Sequence, residues 1–269
     1  MTILVTGATG LVGARLLPRL LAAGVDCRAL VRAGKTLDGV NCVEGDLFDS
    51  STLARAVAGI SGIIHLAAVF RTQDTDLIWK SNLEGTQNLI SAVKTHAPNA
   101  RFIFASTSMV YESGSHPGHE DDSLDPKHPY SASKVAAEQA LRTSDLNWAI
   151  LRFPFVYGDG DGHLEALPKL ASAHKLHPAT RLSTIHHRDV ATAIQLALNG
   201  SLDGKIINIT DEAPTSIYEL AKLVGEPVES SSEPLETPWR MHVDGTLARS
   251  LGFKPSVRTV YQAIEERLL

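Results

Sequence analysis

The sequence predicts a doubly wound α/β fold, a parallel sheet with helices on both faces, followed by a small, mostly helical lobe. Two observations carry that reading. Short apolar runs rich in β-branched residues alternate with amphipathic stretches through the first two-thirds of the chain, and strands joined through helices pair parallel. The first of those strands runs directly into a turn carrying Gly7, Gly10 and Gly13 that opens a helix.

In chain order, residues 2–6 (TILVT) are too short and too β-branched for a helix and read as a buried strand. Residues 11–23 show helical spacing that Gly24 stops. Residues 28–31 and 42–44 read as strands, 50–58 as a helix, 62–66 (GIIHL) as a strand and 76–96 as one long helix. Residues 101–105 (RFIFA) are a strand, 130–143 a helix and 148–153 (WAILRF) a strand. Beyond Phe153 the rhythm loosens. Helix 188–198 and strand 205–209 are expected to return to the main sheet, with helices at 216–224, 246–251 and 259–268. Residues 225–238 are dense in Pro, Ser and Glu and read as an exposed loop. The expected division is one domain over 1–155, with 187–210 returning to it, and a lobe built from 156–186 and 211–269.

A chain of 269 residues buries about 70–75% of its unfolded surface and needs no staples. With 43% hydrophobic and 20% charged residues its composition is that of a globular protein. Lys and Arg number 25 against 30 Asp and Glu, a net charge of −5, so neither a nucleic-acid footprint nor a polybasic membrane patch is present. Cys27 and Cys42 stand in no metal or redox spacing, which excludes a disulfide framework and points to a reducing cytoplasm. No uncharged apolar run approaches the ~20 residues of a membrane helix. The immediate strand after Met1 leaves no room for a signal peptide.

At the first strand–helix junction Gly7 permits a tight turn, Gly10 lets a pyrophosphate approach the backbone, and Gly13 packs helix on strand. The free N–H groups and partial positive charge of the helix N-terminus favour that anion. Farther on, Tyr130 and Lys134 stand at i and i+4, so phenol and ammonium share one helix face. A free phenol has a pKa near ~10. A neighbouring ammonium favours phenolate and brings proton exchange into reach. Ser106, Thr107 and Ser108 end strand 101–105 with hydroxyls able to polarise a carbonyl, and Ser106 lies only one residue from Thr107.

The glycine spacing is G-x-x-G-x-x-G, and with it the chain resembles the extended short-chain dehydrogenase/reductase family, also called the epimerase/dehydratase family. Gly45-Asp46-Leu47, His65-Leu66-Ala67-Ala68, the Asn82, Gly85, Thr86, Asn88 series, Arg152 through Gly158 and Leu251-Gly252-Phe253-Lys254-Pro255 match its motifs along nearly the whole length. Phe155 stands where asparagine is usual, and Val69-Phe70-Arg71 is nearest to the dihydroflavonol-reductase-like branch. The resemblance implies a Rossmann domain and a catalytic set of Thr107, Tyr130 and Lys134. It implies a nicotinamide cofactor held by Gly7, Thr9, Gly10, Leu11, Val12, Gly13, Arg32, Asp46, Leu47, Leu66, Ala67, Ala68, Asn82, Tyr130, Lys134, Pro154 and Val156. Family register puts Val31 at the position of the ribose-binding acid and Arg32 directly after it, with Lys35 close by, which implies NADP(H) over NAD(H).

No metal is expected: His116, His119, Asp121 and Asp122 fall in the family's variable loop, and Asp189 reads as a first-turn carboxylate. Met109, Phe70 and Phe155 are candidate pocket residues. The family's paired helices imply a homodimer, with Trp79, Leu83, Leu89, Val93 and Val135 as apolar contacts. Three readings of function follow. The first is an NADP(H)-dependent oxidoreductase of a small carbonyl or alcohol. The second is a nucleotide-sugar epimerase, for which Arg181 and Arg240 would clamp phosphates. The third, of another class, is an NADP(H)-sensing regulator without turnover, which the intact Tyr–Lys pair disfavours. A sugar 4,6-dehydratase is excluded by Ser108 and Met109, which stand where that reaction needs acids.

Overall fold

The computed structural model describes residues 1–269. Strands β1 (Thr2–Thr6), β2 (Asp26–Val31), β3 (Asn41–Glu44), β4 (Gly62–His65), β5 (Arg101–Thr107) and β6 (Trp148–Phe153), with Ile206–Asn208, form a seven-stranded parallel sheet. Its order is Ile206–Asn208, β6, β5, β4, β1, β2, β3. Helices α1 (Leu11–Ala22), α2 (Ser50–Val57), α3 (Thr75–Trp79), α4 (Gly85–His96) and α5 (Pro129–Arg142) supply crossovers of this Rossmann-like fold. Register is set by apolar strand centres: Val5 pairs with Ala29 on one side and Ile64 on the other, and Ile64 pairs with Ile103.

The chain divides into two compact units. The first comprises Met1–Thr107, Pro126–Leu151 and Ile194–Ile206. Its core includes Leu4, Ile63, Leu89, Val93, Phe102, Phe104, Ala137 and Ile150. The second comprises Ser108–Asp125, Arg152–Ala193 and Ile207–Leu269, with a core around Tyr157, Leu164, Leu182, Ile217, Leu220 and Val260. The boundary thus falls after Leu151 rather than at 155, only 194–206 returns to the first unit, and 108–125 joins the second. Besides helices the second unit contains two small sheets, Phe155–Tyr157 parallel to Thr184–His186 and Thr215–Ser216 antiparallel to Arg181–Leu182.

Two elements differ from expectation. The long helix over 76–96 is interrupted by a π-helical stretch, Lys80–Glu84. One wider turn there turns Asn82 inward, where its amide bonds the backbone of Val69 in both directions. In the second unit, His163–Ala173 is a helix that sequence periodicity missed; it contains Pro168 and starts after Gly162 at φ +69°.

Candidate active site

At the β1–α1 junction Gly7 has φ +71°, and a Cβ there would lie 2.7 Å from the Ala67 backbone nitrogen. A Cβ on Gly13 would meet the Gly7 carbonyl oxygen at 2.2 Å, so the turn closes only with glycine at both positions. The α1 N-cap is Gly10, with no side-chain cap and no acid in the first turn. Its first N–H groups therefore face an uncrowded bend, which fits a dinucleotide pyrophosphate. Thr9, Gly10 and Leu11 are exposed at this bend, Val12 is half-buried and Gly13 is buried.

Leu66, Ala67 and Ala68 continue from β4 beside this turn, and a continuous hydrogen-bond chain fixes them. The Ala67 N–H donates to Thr6 Oγ1 at 3.4 Å, and Thr6 Oγ1 lies 2.6 Å from His65 Nδ1. His65 Nε2 lies 2.9 Å from Thr86 Oγ1, which donates to the Asn82 carbonyl at 2.6 Å. Because the Thr86 proton is committed to Asn82, His65 carries its proton on Nε2 and accepts from Thr6 on Nδ1. Burial, reinforced by the Lys134 ammonium, pulls His65 down to about 3 and keeps it neutral.

Asn82, expected at the cofactor, is buried, and its amide also donates to Ser133 Oγ at 3.0 Å. Ser133 in turn donates to the Tyr130 carbonyl at 2.7 Å. Asn82 therefore ties the segment after β4 to α5. At the far edge of the sheet Arg32 is exposed, and the adjoining Gly34 N–H donates to Glu44 Oε2 at 3.2 Å, a carboxylate that sequence reading did not place there. Asp46 is exposed and accepts from the Phe48 N–H, while Leu47 is anchored by Asn88 Nδ2 on its carbonyl at 3.0 Å.

Pro129 at the first position of α5 and His128 as N-cap, whose Nδ1 accepts the Tyr130 N–H at 3.1 Å, start the helix just before Tyr130. Tyr130 is half-buried with its ring 4.3 Å, centroid to centroid, from the exposed ring of Phe70. One turn on, Lys134 is buried with Nζ 4.0 Å from the centroid of Phe104 on β5. Burial pushes the phenol up to about 12 and pulls Lys134 down to about 7, the latter opposed by the Glu138 carboxylate. The expected lowering of the phenol by the ammonium is thus outweighed by desolvation, and Tyr130 holds its proton at neutral pH.

Ser106 and Thr107 are both buried at the end of β5, on opposite faces of the strand. The Ser106 hydroxyl is engaged: it donates to Glu138 Oε1. Glu138, buried and absent from the sequence-based site, is the residue that motif reading missed; its only signal is its place one turn beyond Lys134.

In the second unit, Pro154 and Val156 are half-buried, and the Val156 carbonyl lies 3.0 Å from His163 Nδ1. Asp189 is buried and accepts from Ser256 N at 2.6 Å, Ser256 Oγ at 2.9 Å and Val257 N at 2.9 Å, a purely structural set. No group of three or more His, Cys, Asp or Glu residues is placed to hold a metal ion, and no helix is long and apolar enough to cross a membrane.

A Rossmann-like parallel sheet with a glycine-lined first turn and a Tyr–Lys pair on one helix defines a nicotinamide-dependent enzyme of the short-chain dehydrogenase/reductase type. Residues 3–210 match the NAD dependent epimerase/dehydratase family, and the chain belongs to it. It is an NAD(P)-dependent oxidoreductase/epimerase of the extended type. The chain is similar to a 4-hydroxy-2-methyl-3-oxo-4-farnesyl-3,4-dihydroquinoline-1-oxide ketoreductase of Stigmatella aurantiaca, 28% identical over 276 residues, covering 93% of this chain and 82% of that one. Among solved structures, a short-chain dehydrogenase/reductase superfamily protein of Agrobacterium tumefaciens with bound NAD superposes with a TM-score of 0.80 at 25% identity, covering 99% of this chain and 95% of that one. MoeE5 in complex with UDP-glucuronic acid and NAD superposes with a TM-score of 0.81 at 26% identity, covering 98% of this chain and 97% of that one.

Proposed function

We propose that the protein is an NADP(H)-dependent oxidoreductase that interconverts a small apolar carbonyl compound and its alcohol, in the branch resembling dihydroflavonol reductases. The observation that carries this reading is the Tyr130 phenol, protonated at neutral pH and packed against the exposed Phe70 ring. A protonated phenol is the form needed to complete a carbonyl reduction. An aromatic flank beside it suits an apolar substituent and would leave a sugar diphosphate poorly solvated. A nicotinamide held at the glycine turn would deliver or accept the hydride.

The chain's own residues do the rest. Tyr130 passes its phenolic proton to the substrate oxygen. The Thr107 hydroxyl, at the end of β5, holds that oxygen. The Lys134 ammonium stabilises the phenolate left behind. The proposed cofactor contacts of the first unit are the glycine turn, Arg32, Asp46, Leu47 and Leu66 through Ala68. Asn82 acts by holding Val69 and Ser133. Arg32, exposed past Val31, favours a 2′-phosphate and hence NADP(H).

Nucleotide-sugar epimerisation is the second reading, favoured by the similarity to MoeE5, a protein solved with UDP-glucuronic acid. The deciding assay incubates the protein with NADPH or NADH and aromatic and aliphatic carbonyls, and separately with UDP- and GDP-sugars. Carbonyl-dependent NADPH consumption is expected. Epimer formation without net cofactor consumption would overturn the reductase reading, and cofactor binding without either reaction would favour the regulator.

We also propose a cytoplasmic homodimer. Leu89 and Val93, expected at its interface, are instead buried in the first unit's own core. Leu83 also packs against that core, which leaves Leu77, exposed, with Trp79 and Val135, half-buried. Light scattering at micromolar concentration should give the dimer mass.

A further inference from the structure

Glu138 is the only buried carboxylate of the first unit, and it lies one helical turn beyond Lys134 on α5. Residues four apart share a helix face, so Tyr130, Lys134 and Glu138 form one stripe. Lys134 and Glu138 both reach β5, where Phe104 and Ser106, two residues apart, project to the same side of the strand. The ammonium sits over the Phe104 ring, and the Ser106 hydroxyl donates to Glu138 Oε1.

Burying an ammonium and a carboxylate is costly unless each is partnered. Ser106 fixes the carboxylate in place, and the carboxylate in turn is the counter-charge of the ammonium. Nothing else near Lys134 can take that role. From β4 the buried His65 ring is neutral, and from β5 the facing group is the Phe104 ring. On the helices and π-helical stretch packed against α5, the charged groups Asp76, Lys80, Glu84 and Lys94 are exposed to solvent. On α5 itself Tyr130 is protonated.

We infer that Glu138 is a positioning residue for the proposed acid/base site: its buried carboxylate, oriented by Ser106, holds the Lys134 ammonium charged and in register with Tyr130. The inference rests on the Tyr–Lys reading of the site. It assigns the Lys134 charge state to a residue 32 positions from the strand serine that orients it.

The test is Glu138→Gln, which keeps the size of the side chain and an oxygen for Ser106 while removing the charge. Selective ¹³C-lysine labelling follows the Lys134 ε-carbon by NMR, the signal being assigned by its loss in Lys134→Met. Removing a facing carboxylate should lower the Lys134 midpoint by about one unit or more. The alkaline limb of kcat/KM should move to lower pH by the same amount, with about a tenfold loss at the alkaline end and little change at about pH 5. Glu138→Asp should restore part of both shifts. Ser106→Ala, which spares the charge and the fold, should shift the lysine in the same direction by less.

An unchanged lysine titration in Glu138→Gln and Ser106→Ala would overturn the inference and leave Glu138 a packing group. Survival of turnover in Tyr130→Phe would overturn the acid/base reading instead. The lysine titration, which needs no turnover, still decides whether Glu138 sets the ammonium.

Discussion

The chain buries two cations, Lys134 in the first unit and Arg152 in the second, and the protein treats them in opposite ways. Arg152 lies with its guanidinium 5.0 Å from the Tyr111 ring centroid and donates to the Tyr111 hydroxyl at 3.0 Å. Tyr111 passes a hydrogen bond to Asn208 Oδ1 at 2.6 Å, and the Asn208 N–H goes to Glu120 at 2.8 Å. A guanidinium does not lose its proton in a protein, so this network is a permanent lock. Lys134 has an aromatic ring and a carboxylate instead of a hydrogen-bonded fork, and burial brings it to about 7, where a proton can leave or arrive. The two tyrosines differ likewise. Both are pushed up to about 12 by burial, yet Tyr111 has its hydroxyl engaged by Arg152 and Asn208, whereas Tyr130 is packed by the exposed Phe70 ring. A perturbed titration therefore marks a candidate site only where the surrounding hydrogen bonds leave the group able to change state.

Four experiments test that contrast. Tyr130→Phe keeps the ring against Phe70 and removes only the hydroxyl, so kcat/KM should fall by ~10²–10⁴ while cofactor affinity and thermal midpoint stay near the parent's. Steady-state kinetics alongside a cofactor titration check this, and a rate near wild type would reassign the acid.

Tyr111→Phe should do the reverse. It removes the hydrogen bonds that the phenol makes with Arg152 Nη1 and Asn208 Oδ1, which should cost about 3 kcal/mol of stability in denaturant unfolding. The rate of the folded enzyme should change little.

Asp211 supplies a pH test within the second unit. It is buried, accepts from Thr184 Oγ1 at 2.5 Å, and burial raises it from 3.8 to about 7. The folded state then binds a proton that the unfolded state releases near 4. The associated stability is fully present below that point and is lost as the pH rises through about 7. Asp211→Asn should remove this slope, gaining about 4 kcal/mol over the parent at pH 8 and almost nothing at pH 4. Parallel slopes in thermal melts of the two proteins would contradict it.

Arg32→Ala carries the smallest expected effect. NADPH affinity should drop about tenfold through loss of one charge-assisted contact, with NADH affinity nearly unchanged. Equal affinity of the parent protein for both cofactors would remove the basis for the NADP(H) preference.

What could be read from the sequence was what local geometry determines. Gly7, Gly10 and Gly13 are legible because a turn and a close approach demand glycine at fixed offsets from a strand end, and a Cβ at Gly13 would indeed strike Gly7. Tyr130 and Lys134 are legible because i and i+4 share a face wherever the helix is placed. The alternation of apolar runs was enough to predict the parallel sheet, since crossovers leave few other arrangements.

What only the tertiary structure decided involves pairs far apart in the chain or the rotational phase of a helix. The π-helical stretch Lys80–Glu84 resets the phase of the helix that follows, so Leu89 and Val93 turn to the core rather than to a partner chain. The same stretch directs Asn82 to Val69 and Ser133. Glu138 meets Ser106 only through the packing of α5 on β5, and neither residue type at that spacing announces the contact. Periodicity reports which face is apolar but not what that face meets, and the charge carried by a buried lysine depends on what it meets.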